Sequence, residues 1–150
     1  MPVHELEATV NAFRDALRSY VRGDPGPAMS FFSERDDVTL ANPLGPPLRG
    51  PTAVMDGGRR SSDSFKEGGE LRFADVLTTF EEVSRYAASD LGYVVQIERH
   101  EGRLADRDNP IVIALRVTLI FRREDGAWKI VHRHADPITR PRSIETTVQG

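Results

Sequence analysis

Two stretches decide the fold: Ile111-Val112-Ile113-Ala114-Leu115-Arg116-Val117-Thr118-Leu119-Ile120-Phe121, and Trp128-Lys129-Ile130-Val131-His132-Arg133-His134-Ala135-Asp136 after the turn at Asp125-Gly126. Both alternate with period two, the signature of strands with one face buried. Ile111, Ile113, Leu115, Val117, Leu119 and Phe121 share a wholly apolar face, which predicts that this face looks into the protein. On the second arm Val131, Arg133 and Ala135 fall on one face, and Trp128, Ile130, His132, His134 and Asp136 on the other. The glycine of Arg122-Arg123-Glu124-Asp125-Gly126 tolerates positive φ, so the two arms are expected to pair as an antiparallel hairpin.

The rest of the chain is long enough to cover this hairpin with a single core. At 150 residues, 39% hydrophobic and 29% charged, it has the composition of one ordinary globular domain. Twenty basic and 23 acidic side chains leave a net charge of -3, without the basic surface that nucleic acid requires, so no nucleic-acid partner is expected. The absence of cysteine excludes disulfides, thiolate metal sites and a cysteine nucleophile. No apolar run approaches bilayer-spanning length, and the beginning Met1-Pro2-Val3-His4-Glu5 has no signal-peptide pattern, so a cytoplasmic protein without a membrane partner is expected.

From Glu5 onward Leu6, Val10, Phe13, Leu17, Tyr20 and Val21 form the stripe of an amphipathic helix that Gly23 ends. Asp24 before Pro25 predicts a capped short helix to Phe32. A short strand at 37–40 and a proline- and glycine-rich loop at 42–50 follow, and a third helix opens at Pro51-Thr52, weakened at Gly57-Gly58. Leu71 to Tyr86 reads as a strand whose alternation slips near Asp75. Leu91 to His100 reads as the next, with Tyr93, Val95, Ile97 and Arg99 on one face and Glu101-Gly102 as its end. The order helix, helix, strand, helix and then four strands implies an α+β domain over residues 1–140, with a polar tail at 141–150. Its outer sheet face carries Trp128, Ile130, Val112, Ala114 and Ile120 among polar groups, which suggests a homodimer interface.

These features resemble a known family. The stretch Gly23-Asp24, the short helix and the loop Asn42-Pro43-Leu44-Gly45-Pro46-Pro47-Leu48-Arg49-Gly50 resemble ketosteroid isomerases. The ending from Phe121 through Asp125-Gly126-Ala127-Trp128 to His134 is similar to SnoaL-like domains and to the association domain of calcium/calmodulin-dependent kinases. All belong to the nuclear transport factor two-like superfamily. The resemblance implies a cone-shaped curved antiparallel sheet wrapped around three N-terminal helices, with a pocket at the open end and dimers formed through the outer face. It also implies which roles are missing. The proton-shuttling carboxylate before the loop proline is replaced by Asn42, which has no proton affinity near neutrality. The oxyanion-binding tyrosine falls at Ala16, with Tyr20 one helical turn later, and the second oxyanion donor falls at Leu115. Where the kinase association domains place a pocket arginine after the second histidine, this chain has Ala135.

The expected pocket lining is therefore Leu40, Asn42, Tyr93, Val95, Ile97, Arg99, Leu115, Val117 and Arg133. Two arginines in an apolar cavity would favour a small, largely apolar and anionic ligand. Asn42 either bonds a ligand carbonyl or starts the turn before Pro43, and the arginines either bind the ligand or pair with acids such as Asp75 at the mouth. His132, His134 and Asp136 lie at spacings of about 7 Å along one strand face, which disfavours a common metal ion, and neither metal nor cofactor is expected. Two alternatives stand beside small-molecule binding. One is an isomerase, cyclase or hydratase using Asp75 or Asp136 as general base, and the other is a pure oligomerisation module.

Overall fold

The structure is a computed structural model that describes residues 2–150. Helix α1 (Pro2–Tyr20) is followed by α2 (Gly26–Met29), strands β1 (Thr39–Ala41) and β2 (Leu48–Arg49), helix α3 (Pro51–Asp63), and the long strands β3 (Phe73–Ala87), β4 (Leu91–Leu104), β5 (Pro110–Glu124) and β6 (Ala127–Asp136). A 3-10 turn at Ile144–Thr147 lies in the tail. The six strands form one curved sheet in the order β2-β1-β6-β5-β4-β3. All neighbours are antiparallel except β1 and β6, which run parallel. With the three helices on its concave side, this is the expected α+β cone.

The stripe of α1 folds as its spacing predicts. Leu6, Val10, Phe13 and Leu17 are all buried, each contributing about 1.5–3 kcal/mol by leaving water. They pack against Val94, Val117, Leu119 and Phe121 on the concave face. On β5 the inward row is the one that sequence alternation assigns.

Three local readings change. Asp24 does not cap α2, whose N-cap is Pro25. Strand β4 runs on past Glu101-Gly102 to Leu104, because Gly102 pairs with Val76 where the β3 backbone leaves no room for a Cβ. The pair Gly57-Gly58 is a packing device rather than a weak point. The ends of the Leu48 and Met29 side chains occupy the space that a Cβ on Gly57 and on Gly58 would take, and this brings α3 close onto the core.

The most consequential departure lies in β6. Phe121 pairs with Ile130 and Ile120 with His132, so Val131 is an extra residue on that strand, a β-bulge. Before the bulge Trp128 and Ile130 point into the core and are buried; after it Arg133 and Ala135 take the inward positions. The sequence reading placed Trp128 and Ile130 outside with the histidines, because strict alternation cannot register an inserted residue. Val112, Ala114 and Ile120 are on the outer side as expected, in the rows opposite Glu101, Arg99 and Tyr93 of β4.

Candidate functional site

Between the helices and the concave sheet lies a cavity of about 230 Å³. Helix α1 contributes Phe13, Leu17 and Tyr20, and the region of α2 contributes Met29 and Phe32. The loop after β1 brings Asn42, Pro43 and Leu44, and the chain beyond α3 brings Ser64, Phe65 and Leu71. The walls are thus largely apolar. Besides Tyr20, Asn42, Ser61 and Ser64, three polar side chains reach the cavity from the sheet: Glu98 and His100 of β4, and Arg133 of β6.

Glu98 is fully buried. Its Oε1 accepts from Arg133 Nη2 at 2.7 Å, and its Oε2 accepts from Arg133 Nη1 at 2.8 Å and from Gln96 Nε2 at 2.9 Å. The Gln96 amide is itself oriented from outside, because its Oε1 accepts two bonds from Arg14, at 2.9 Å and 2.7 Å, which leaves Nε2 to face Glu98. Arg14 in turn binds Glu82 at 2.9 Å near the rim of the sheet. Three donors on one carboxylate hold it ionised: burial pushes its pKa up, and Arg133, His100 and Gln96 together bring it below the ordinary glutamate value. For Arg133, burial works against the charge, and Glu98 more than restores it.

His100, 4% exposed, is bonded through Nδ1 to Thr78 Oγ1 at 2.9 Å, and Nε2 is left without a protein partner. Burial pushes its pKa below the ordinary histidine value, against the pull of the Glu98 charge, so the ring is neutral near pH 7. Tyr20 donates its hydroxyl to the Gly58 carbonyl at 2.7 Å, and burial raises its pKa. Asn42 Oδ1 accepts the Leu44 backbone N–H at 3.0 Å, so this residue makes the turn and also borders the cavity.

Of the residues expected in the pocket, Leu40, Asn42, Leu115 and Arg133 line this cavity. Val117 points to the same side but is sealed in the core at 2% exposure. Tyr93, Val95, Ile97 and Arg99 lie on the opposite, outward side of β4: Tyr93 is 38% exposed, and Arg99 stands in solvent 3.9 Å from Glu101. The face of β4 is set by its pairing, since Gln96, Glu98 and His100 stand opposite Val117, Leu115 and Ile113 of the apolar row on β5. Choosing the more apolar face of β4 for the interior selects the wrong one, because the interior face carries the polar floor. The missed residues had one signal, a same-face run of Gln96, Glu98 and His100 between Val94 and Leu104, both buried.

Neither proposed alternative base borders the cavity. Asp75 pairs with Arg103 at 3.1 Å on the exposed side of β3, and Asp136 pairs with Arg116 at 2.7 Å and with His134 at 2.9 Å. His132 bonds Thr39 Oγ1 at 2.7 Å through Nδ1. Among the described residues no group of three or more His, Cys, Asp or Glu side chains has the arrangement of a metal site. No helix among them is long and apolar enough to cross a membrane.

A helix-lined cone of this topology is the nuclear transport factor two-like fold, and solved structures with the same fold span almost the whole chain. A protein from Thiobacillus denitrificans, described as a calcium/calmodulin-dependent protein kinase type II association domain, is 25% identical over 89% of this chain and 94% of its own, with a TM-score of 0.64. A protein of the nuclear transport factor two-like family from Streptomyces avermitilis, described as a dehydratase, is 19% identical over 93% and 100%, with a TM-score of 0.71. A ketosteroid isomerase-like protein from Erwinia carotovora atroseptica is 16% identical over 91% and 96%, with a TM-score of 0.65. No curated protein matches the sequence. The SnoaL-like domain pattern matches residues 7–139, and the chain belongs to that family.

Proposed function

We propose that this SnoaL-like domain binds a small, largely apolar and uncharged molecule in the cavity. The observation that carries the reading is the closed Glu98–Arg133 pair, with hydrogen bonds of 2.7 and 2.8 Å on a floor surrounded by apolar walls. Arg133 already has its counter-ion, so the anion preference expected from its sequence position loses its basis. A second charge entering the cavity would be buried without a partner, and that is costly. The volume of about 230 Å³ lies below the roughly 300–1,000 Å³ typical of drug-sized ligands, which favours one or two fused rings.

Thermal-shift measurements with isosteric neutral, anionic and cationic bicyclic compounds test this reading: 2-tetralone, 2-naphthoate and 2-aminotetralin. The neutral ketone raises the melting temperature in a concentration-dependent manner and the ions do not. Stabilisation by 2-naphthoate instead would overturn the assignment of charge.

We also propose that a second copy covers the outer sheet face. Support comes from a row of apolar side chains in solvent there, with Tyr86 beside Tyr93 at a ring separation of 6.3 Å, and Leu77 and Val112 flanking Glu101. An exposed patch of this kind on a sheet suits an isologous contact.

A further inference from the structure

A second recess adjoins the cavity. Phe65 belongs to the lining of both and is half-buried, so their shared wall reaches solvent. Two arginines line this recess, Arg22 from the turn after α1 and Arg72 from the chain leading into β3. The backbone fixes where both stand. Gly23 has a φ of +89°, and a Cβ there would fall 2.5 Å from Lys66 Cα, so glycine lets the turn that carries Arg22 lie against the 65–72 segment. That segment is closed by the Leu71 N–H, which donates to the Ser64 carbonyl at 2.8 Å, and the Arg72 carbonyl accepts from the Ala105 N–H at 2.8 Å. Phe65 and Phe73 stack on each other at 6.1 Å with their planes 11° apart. Among the described residues neither Arg22 nor Arg72 makes an ion pair or a side-chain hydrogen bond. The acids of the recess are Asp75, both of whose oxygens accept from Arg103, and Glu67. With Asp75 and Arg103 cancelling, two positive charges stand against the single negative charge of Glu67.

We propose that this recess is an anion subsite, in which Arg22 and Arg72 bind the carboxylate of a ligand whose uncharged ring system lies in the cavity, the two parts being joined by a flexible chain that passes Phe65. The inference rests on the reading of the cavity as a site for an uncharged apolar group, and it names the class of molecule that fits both places, a ring-bearing alkanoic acid. One further negative charge brings the recess to neutrality, which matches a singly charged carboxylate better than a phosphate dianion. The guanidinium fork also suits a carboxylate, which it can hold through two parallel hydrogen bonds. Both arginines are exposed, so the acid keeps part of its hydration and no charge enters the interior. The Glu98–Arg133 pair therefore stays closed while an anionic molecule binds. A carboxylate set directly on the ring, as in 2-naphthoate, would be drawn among the apolar walls, whereas one at the end of a chain is not. The gain from the subsite depends on the chain: too short a tether cannot span the two places, and an overlong one dilutes the acid around them.

The test is calorimetric titration of the intact protein at low salt with 2-naphthylalkanoates whose tethers run from about two to six methylenes, each beside its uncharged primary amide. At the best tether length the acid binds about three- to tenfold more tightly than its amide, and this advantage shrinks as salt is added. R22Q/R72Q brings acid and amide to equal affinity. E67Q removes the opposing charge and enlarges the advantage, and the distant surface control K129Q leaves it unchanged. Circular dichroism of each variant reports the fold. An acid no tighter than its amide at every tether length overturns the proposal, as does an advantage that survives R22Q/R72Q or that E67Q fails to raise. In each of these cases binding of the amides and of 2-tetralone leaves the reading of the cavity standing. If acids, amides and 2-tetralone all fail to bind, both readings fall.

Discussion

Glu98 and Arg133 meet across the concave face of the sheet in a two-point ion pair, with the carboxylate fully buried and the guanidinium lying 6.0 Å above the Phe13 ring. Each charge exists in the interior because of the other. Replacing Glu98 by Gln or Arg133 by Met strands a buried charge or its donors, and each change is expected to cost about 3–5 kcal/mol in urea denaturation. The double replacement E98Q/R133M recovers much of that loss. Additive losses in the double variant would show that the two residues are stabilised independently.

Acid should weaken the fold in two stages. His100 has a folded pKa below its unfolded value of about 6.5, so the unfolded chain binds the proton first and stability is lost as pH falls from about 6.5 through the folded value. Glu98 is also depressed, and its contribution is present above the unfolded value of about 4.3 and lost as pH falls through the folded one. Because His132 is also lowered, by burial and by His134, the diagnostic measurement is the difference between wild type and H100Q. Melting temperatures of the two between pH 7 and 5 should converge on acidification. A constant gap would mean that His100 titrates normally.

Tyr20→Phe removes the hydroxyl that satisfies the Gly58 carbonyl on the cavity wall. Losing this bond is expected to lower stability by about 1–2 kcal/mol, measured by chemical denaturation, and to leave binding of a neutral ketone intact. A loss of binding without a loss of stability would instead make Tyr20 a ligand contact.

Gly58→Ala inserts a methyl group against Met29. Because only the flexible end of Met29 must move, and Ala favours the helix over Gly by about 1 kcal/mol, the denaturation midpoint is expected to stay nearly unchanged. The substitution should shrink the cavity and weaken ligand binding, because Gly58 and Met29 both border it.

If a second copy covers the outer face, Tyr86→Arg should shift the light-scattering mass from dimer to monomer with the fold unchanged. A wild-type monomer at micromolar concentration would remove the dimer proposal altogether.

How much of this was legible in the sequence depends on which strand is considered. The stripe of α1 and the inward row of β5 were readable because each is apolar along its whole length, so only one face can be buried. Leu115 and Arg133 border the cavity because they belong to the inward row of β5 and to the parity after the bulge, and Leu40 and Asn42 reach it from β1 and the loop that follows. On β4 both faces are mixed, and burial of Gln96, Glu98 and His100 depends on Arg14, Thr78 and Arg133, whose sequence separations from them are 82, 22 and 35. Partners that distant leave no local pattern. Trp128 and Ile130 were misassigned for a different reason: hydrophobicity placed them inside, and an unbroken count of two placed them outside.

The bulge at Val131 makes β6 behave like a message read in two frames, with one phase up to Ile130 and another from His132. Paired in one frame throughout, with no residue bulged, His132 would stand opposite Leu119 and His134 opposite Val117, turning Arg133 outward and bringing the two histidines over the cavity while the core residues upstream stayed in place. The bulge at Val131 is thus what separates an arginine-floored chamber from a histidine-floored one. On a scaffold of this kind, the chemistry of the chamber can change with the placing of a bulge as readily as by substitution.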